Sequence, residues 1–344
     1  MIAPRMSPWC VLLTPRNVMS SLRAFALLLF LALPAAAQTT ALKAAPAYPV
    51  KPIRLIVPYA PGGSSDIIAR LYAQRLTATM GQTFVVDNRP GAGGMIGTEL
   101  LARSSADGYT LLLQDMPHTI NPAVYGKVPY DPVRDFEPIT LVARAPQWLF
   151  VFPGVPAKTI GELVAIAKSQ PGNLRIGSAG NGSGTHLMAE LLMRGAGIDL
   201  THVPYKGAGP AVTATVGGEM NAVFTSMPAA ISFVQSGRLR AIGVTTAKRQ
   251  ASYPDVPTFE ESGVRNMVLH HWFGVLGPAG LPRPVIARLH AEFSRAVGEP
   301  AIVERYKSLM LDPATTTPEA FRALIESDLA RWGRVVREAG ITAQ

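Results

Sequence analysis

The chain has 344 residues, 48% of them hydrophobic, and a formal net charge of +9. Its lysines and arginines are scattered, with no run of five or more, which argues against a nucleic-acid-binding stripe; a mild positive field suits anionic small molecules instead. The one cysteine, Cys10, lies near the N-terminus, so the bulk of the chain has no disulfide and no thiolate for metal or catalysis.

Arg23 is the last charge before the apolar run Ala24 to Leu33, and Pro34 and Ala35-Ala36-Ala37 follow. A positive residue, about ten apolar residues and a small-x-small site form a secretory leader, here residues 1–37, cut before Gln38. The run is shorter than the roughly 20 apolar residues of a spanning helix. A buried core helix and an uncleaved anchor are its rival readings. Met1 to Val18 is unusual for a leader, so Met1, Met6 and Met19 are alternative starts. Cleavage removes Arg5, Arg16, Arg23 and Cys10, leaving a net charge of +6 on 307 residues, a length that suits two domains.

After an Ala/Pro-rich lead-in, Ala41 to Pro52, a pattern repeats: a short β-rich run, a Gly/Ser/Pro cluster, then a helical period. The first instance is strand Ile53–Val57, loop Pro58–Ser65 and helix Asp66–Met80. The second is Thr83–Val86, then Asn88–Gly94 and a helix to about Arg103. Tyr109–Leu113 is a third strand. A Pro-rich stretch, Pro117 to Pro138, precedes strands at Leu141-Val142 and Trp148–Phe152 and a helix at Ile160–Lys168. The pattern recurs with strand Leu174–Ile176, loop Gly177–Gly184 and helix Thr185–Arg194. His202–Tyr205 leads to Gly207–Pro210 and a helix ending at Gly217-Gly218. Further strands fall at Ala222–Thr225, Ala241–Val244 and Gly274–Leu276, and the remainder reads as helical. Alternating strands and helices mean an α/β fold with a mainly parallel sheet, and two runs of the pattern mean two lobes.

Ligands of parallel α/β sheets sit outside the carboxyl ends of the strands, where this chain places three glycine clusters: Pro61–Asp66, Ser178–Thr185 and Lys206–Pro210. Each precedes a helix, so free N–H groups and the positive end of the helix dipole face the loop. That makes an anion site without fixed charge. The competing reading is structural: tight turns need glycine, and Ser64 or Thr185 would then cap a helix. His186 fits a ligand contact or a structural histidine, and Lys206 an anion guide or a solvated loop. Trp148 and Trp272 fall near the connections between lobes and suit core or hinge packing.

Enzyme signatures are missing. Gly126-Lys127 continues into Val128, which is not a Walker pattern, and Gly91–Ile96 lacks the last glycine of the dinucleotide fingerprint. Asn181 two residues before Ser183 rules out a nucleophile elbow. His270-His271 has no further ligand to make a metal site. No cofactor or metal is called for.

The segments Lys51–Asp66, Val86–Gly94, Ala106–Thr110, Val203–Gly207, Asp255–Thr258 with Glu261 and Gly263, and Trp272–Gly274 resemble, in order, the phrases of Bug-type solute receptors, the tripartite tricarboxylate transporter substrate-binding family. The resemblance covers nearly the whole chain after the leader. It implies a periplasmic, non-catalytic, monomeric receptor of the type II Venus-flytrap fold. Two α/β lobes, residues 48–146 with 270–344 and residues 147–269, would be joined by two crossovers. A small carboxylate would be held between them and delivered to a membrane permease. Carried over, the ligand-binding residues are Pro61, Gly62, Gly63, Ser64, Ser65 and Asp66 of the first lobe. The second lobe would supply Ser178, Asn181, Gly182, Ser183, Gly184, Thr185 and His186, with Tyr205, Lys206, Gly207 and Thr225 beside them. The family's second-lobe loop often ends Ser-Pro-Ser-His, whereas here it reads Gly182 to His186. Thr225-Ser226 stands where an acidic residue is common, which leans toward plain organic or aromatic acids over amino acids. The rival functions are a ligand sensor docking on a signalling partner, and an exported hydrolase using Ser183 or His186. The latter needs an acid/base constellation that the sequence does not assemble.

Overall fold

The computed structural model describes residues 48–342. The leader, its cleavage before Gln38 and the alternative starts lie outside the described residues.

Two sheets organise the chain. The first has the order β11-β4-β10-β3-β1-β2, built from β1 (Ile53–Val57), β2 (Phe84–Asn88), β3 (Thr110–Asp115), β4 (Phe136–Pro146), β10 (His270–Pro278) and β11 (Asp312–Pro313). The second has the order β7-β6-β8-β5-β9, from β5 (Trp148–Val151), β6 (Arg175–Ser178), β7 (Thr201–Pro204), β8 (Ala222–Thr225) and β9 (Arg240–Val244). The chain leaves the first sheet at Gln147 and returns after β9 through residues 245–269, which gives two crossovers and a two-lobed α/β fold.

Helices follow the strands: α1 (Ser64–Met80), α2 (Met95–Ala102), α3 (Pro117–Tyr125), α4 (Ile160–Ser169), α5 (Gly184–Ala196), α6 (Ala208–Val216), α7 (Ile231–Gln235), α8 (Arg283–Val297), α9 (Pro300–Leu309) and α10 (Pro318–Glu338). The central strands are apolar on both faces because helices cover both sides. Ile53, Leu55, Ile56, Val57 and Leu111 to Leu113 are fully buried. Under α1 and α9, the Tyr72 hydroxyl meets that of Tyr306 at 2.8 Å, and Tyr306 also donates to the Val142 carbonyl at 2.8 Å. On the other face, α10 packs on α3 and β4.

The sheets are mixed where the sequence pattern reads mainly parallel. β1 runs parallel to β2 and β3, and β6 to β7 and β8. β10 runs antiparallel to β3 and β4, and β5 to β8 and β9. The cause is the crossovers. β5 and β10 are entered from the side on which β3, β6 and β8 end, so they run the opposite way.

Two further departures are local. The stretch read as Pro-rich connection contains α3 and the start of the long strand β4. Pro117 sits in the first turn of α3, where no N–H is needed. The C-terminal remainder is not all helical, since Asp312-Pro313 adds a short edge to β4. Trp148 and Trp272 are both buried beside the crossovers. Among the described residues, no helix is long and apolar enough to cross a membrane.

Candidate functional site

Between the lobes, at the ends of β3, β6 and β8 and the starts of β5 and β10, lies a cavity. Helix amino termini converge on it: Gly63-Ser64-Ser65 at α1, Ser183-Gly184-Thr185 at α5, Ala208 at α6 and Pro117 at α3. Each brings backbone N–H groups that have no partner within the helix.

The first loop is braced from beneath. Asp66 accepts from the Gly62 N–H (3.1 Å), Asn88 Nδ2 (3.0 Å) and Arg70 Nε (3.0 Å). Burial alone would raise its pKa, but Arg70, Gly62 and Asn88 together hold the carboxyl below its usual range. Asp66 therefore fixes the turn and faces away from the cavity lining. Gly63, rather than Ser64, occupies the cap position of α1.

The second-lobe loop closes on itself. Ser183 caps α5 by accepting from the His186 N–H at 3.2 Å. Its hydroxyl also meets Thr185 Oγ1 at 3.0 Å, and Thr185 accepts from the Ala179 N–H at 2.8 Å. Behind the loop, His186 Nδ1 accepts from the Gly182 N–H at 3.2 Å, and its ring stacks on His202 at 4.4 Å. His202 Nε2 is 2.6 Å from Ser178 Oγ. Burial lowers both histidine pKa values to about 4. His186 and Ser178 thus support the loop from outside the cavity.

The lobes touch directly. Ala60 N–H donates to the Lys206 carbonyl (2.9 Å), Ser226 Oγ to Ser64 Oγ (2.7 Å), and Tyr125 OH to the Asn181 carbonyl (2.8 Å). The described conformation is therefore a closed one.

Of the sequence-derived candidates, Gly63, Ser64, Ser65, Ser183, Gly184, Thr185 and Thr225 line the cavity. Tyr205, Lys206 and Asn181 line an adjoining cleft, and Pro61 and Gly62 an outer groove. Gly182 packs against Asn121 and Tyr125, and Gly207 against Tyr59 and Ala60.

The cavity residues outside those candidates include Tyr59, Asp115, Gln147 and His271. Asp115 is 5% exposed and accepts from Tyr59 OH (2.8 Å) and Ser65 Oγ (3.1 Å), with His271 Nε2 at 3.3 Å. Burial first, and Asp115 second, push the Tyr59 phenol well above its ordinary pKa, so it remains a donor. The site is therefore not built from helix termini and hydroxyls alone: a carboxyl, a phenol and an imidazole also line it. Asp115 also supplies a carboxylate from the first lobe, which removes the premise that Thr225-Ser226 leaves the site without one. Of the pair His270-His271, His270 is exposed while His271 is buried, and no cluster of three metal-ligating side chains occurs among the described residues. Asp115 had a usable signal, since it ends a strand at the cleft edge. His271 and Gln147 had none, because the crossovers bring them in.

The fold and this interlobe cavity define a two-lobed receptor of the periplasmic binding protein type. Residues 68–341 match the tripartite tricarboxylate transporter family receptor, TctC. The chain is 37% identical over 295 residues to Protein BugT of Bordetella pertussis (strain Tohama I), spanning 85% of this chain and 90% of that protein. Rpa4515 of R. palustris, solved with adipate, superposes with a TM-score of 0.82 at 33% identity, covering 86% of this chain and 99% of that one. MatC (Rpa3494) from Rhodopseudomonas palustris, with bound malate, gives 0.79 at 30% identity, covering 84% and 100%. The chain belongs to the tripartite tricarboxylate transporter receptor family, whose members are substrate-binding receptors and not enzymes.

Proposed function

We propose that this protein is an exported solute receptor that closes on a small organic carboxylate and delivers it to a tripartite tricarboxylate-type permease. The observation that carries the reading is the cavity wall: helix amino termini and hydroxyls converge on it, and it holds no lysine or arginine. Such a wall suits a carboxylate because hydrogen bonds to an ionised group contribute roughly 1.5–3 kcal/mol each. Adipate and malate in the related Rpa4515 and MatC support the same ligand class.

In this reading the ligand contacts come from Gly63, Ser64, Ser65, Ser183, Gly184, Thr185 and Thr225, with Tyr205, Lys206 and Asn181 at the mouth. Pro61, Gly62, Asp66, Ser178, Gly182, His186 and Gly207 shape and brace those loops. The lobes are residues 48–146 with 270–344, and residues 147–269. The leader is cut before Gln38, and the receptor acts in the periplasm as a monomer. Both lobes contact the ligand, so binding selects the closed state. Native mass spectrometry of freshly purified protein tests this. A retained small carboxylic acid is expected, and a retained sugar or peptide would overturn the proposal.

A further inference from the structure

We infer that His271 is the cation of this cavity and takes up one proton from bulk water when a carboxylate binds. The inference rests on the carboxylate-receptor reading above. The ionisable side chains lining the cavity are Tyr59, Asp115 and His271. His271 is 5% exposed, its Nε2 lies 3.3 Å from Asp115 Oδ2, and its Nδ1 is buried with no protein partner. That free edge lies at the amino end of α5: a Cβ placed on Gly184 would stand 3.0 Å from Cε1 and 3.1 Å from Nδ1.

Charge balance supplies the reason. An entering carboxylate meets the buried Asp115 carboxylate, and like charges in a dry site repel. Helix termini offer only partial positive charge. In the neutral Nε2–H tautomer of His271, the ring proton stands on the nitrogen 3.3 Å from Asp115 Oδ2, and Nδ1 presents a lone pair to the incoming anion. Protonation turns Nδ1 into a donor, and the imidazolium then bridges two carboxylates with charge-assisted hydrogen bonds.

The groups around it agree. From β3 comes Asp115, and from the loop after β1 comes Tyr59, which stays protonated and donates to Asp115. From α3 comes His118, which feels Asp115 but is held to about 4 by burial and is neutral at pH 7. From α5 come the free N–H groups at Gly184, and on β10 itself the Phe273 ring lies 4.9 Å away. The sequence around His271 gave no sign of this role, because β3–β10 pairing is what sets the histidine against Asp115.

The test is isothermal titration of the unmodified chain with acetate, malate, adipate and benzoate, in phosphate and in Tris at pH 7.5. The tightest binder is carried to pH 8.5. The expected result is uptake of about one proton per anion bound, and about a tenfold affinity loss over that pH unit. His271→Gln is expected to bind at least tenfold more weakly, without uptake. Ring NMR of the wild type gives an independent reading: the His271 imidazole is expected to change to imidazolium on saturation. Binding without proton uptake, uptake retained in His271→Gln, or a ring that stays neutral would each overturn the inference and leave the receptor reading standing. If none of the four anions binds, the carboxylate reading falls, and the inference with it.

Discussion

Ser226 Oγ donates to Ser64 Oγ at 2.7 Å, joining residues 162 positions apart. Ser64 opens α1 in the first lobe, and Ser226 follows β8 in the second. Both line the cavity, so this bond exists only when the cleft is shut around its contents. Net, a buried neutral hydrogen bond contributes about 1 kcal/mol. Ser226→Ala is therefore expected to weaken malate or adipate binding about fivefold while leaving the fold intact. Calorimetry and circular dichroism check the two halves of that expectation.

Gly209 governs how closely the lobes approach. A Cβ there would lie 2.5 Å from the Pro61 carbonyl oxygen and 2.9 Å from the Gly62 carbonyl carbon. Both neighbours are backbone and cannot move aside cheaply. Gly209 lies in the first turn of α6, where alanine suits the helix. Gly209→Ala is expected to keep its melting temperature, lose at least tenfold in affinity and fail to compact on adding ligand. Small-angle scattering with and without malate or adipate measures the compaction.

Buried His118 and His186 and half-buried His202 make the protein acid-sensitive. His118, His186 and His202 have pKa values lowered by burial to about 4, against 6.5 in the unfolded chain. Their folded forms refuse protons that the unfolded chain accepts, so stability is full above pH 6.5. It is lost progressively as the pH falls from 6.5 to about 4. For fully buried His118 the loss is on the order of 3 kcal/mol. Urea unfolding at pH 7 and pH 5 is expected to show the decline, and His118→Gln to reduce its slope.

Trp272 ties β10 to α10. Its Nε1 donates to Asp328 Oδ2 at 2.8 Å, with both side chains buried. Burial raises the Asp328 pKa, and the Trp272 N–H opposes that rise. Trp272→Phe leaves the carboxyl short of a donor and is expected to cost about 1–3 kcal/mol. The midpoint of urea unfolding measures it.

The readability of this fold followed the range of its interactions. β1, α1, β8 and the loop before α5 are set by neighbours in sequence, so apolar runs, glycines and helix period locate them within a few residues. α3 was hidden because Pro117 and Pro122 look like helix breakers. One sits in the first turn, and packing against α10 sustains the other. The antiparallel strands β5 and β10 follow from the crossovers, which leave no local mark. The site divides in the same way. Its backbone donors could be seen in the glycine clusters, whereas the Asp115–His271 contact depends on the pairing of distant strands.

If the cavity recognises a carboxylate as an anion, replacing the acid by its neutral amide abolishes binding. The direct measurement is a thermal-shift comparison at pH 7 of small organic acids, malate and adipate among them, with their primary amides. Binding at a hundredfold excess over the dissociation constant stabilises by about 2.7 kcal/mol. One or more acids are expected to raise the melting temperature by several degrees, with no shift from the matching amides. No shift from any acid, or equal shifts from acid and amide, would contradict carboxylate recognition.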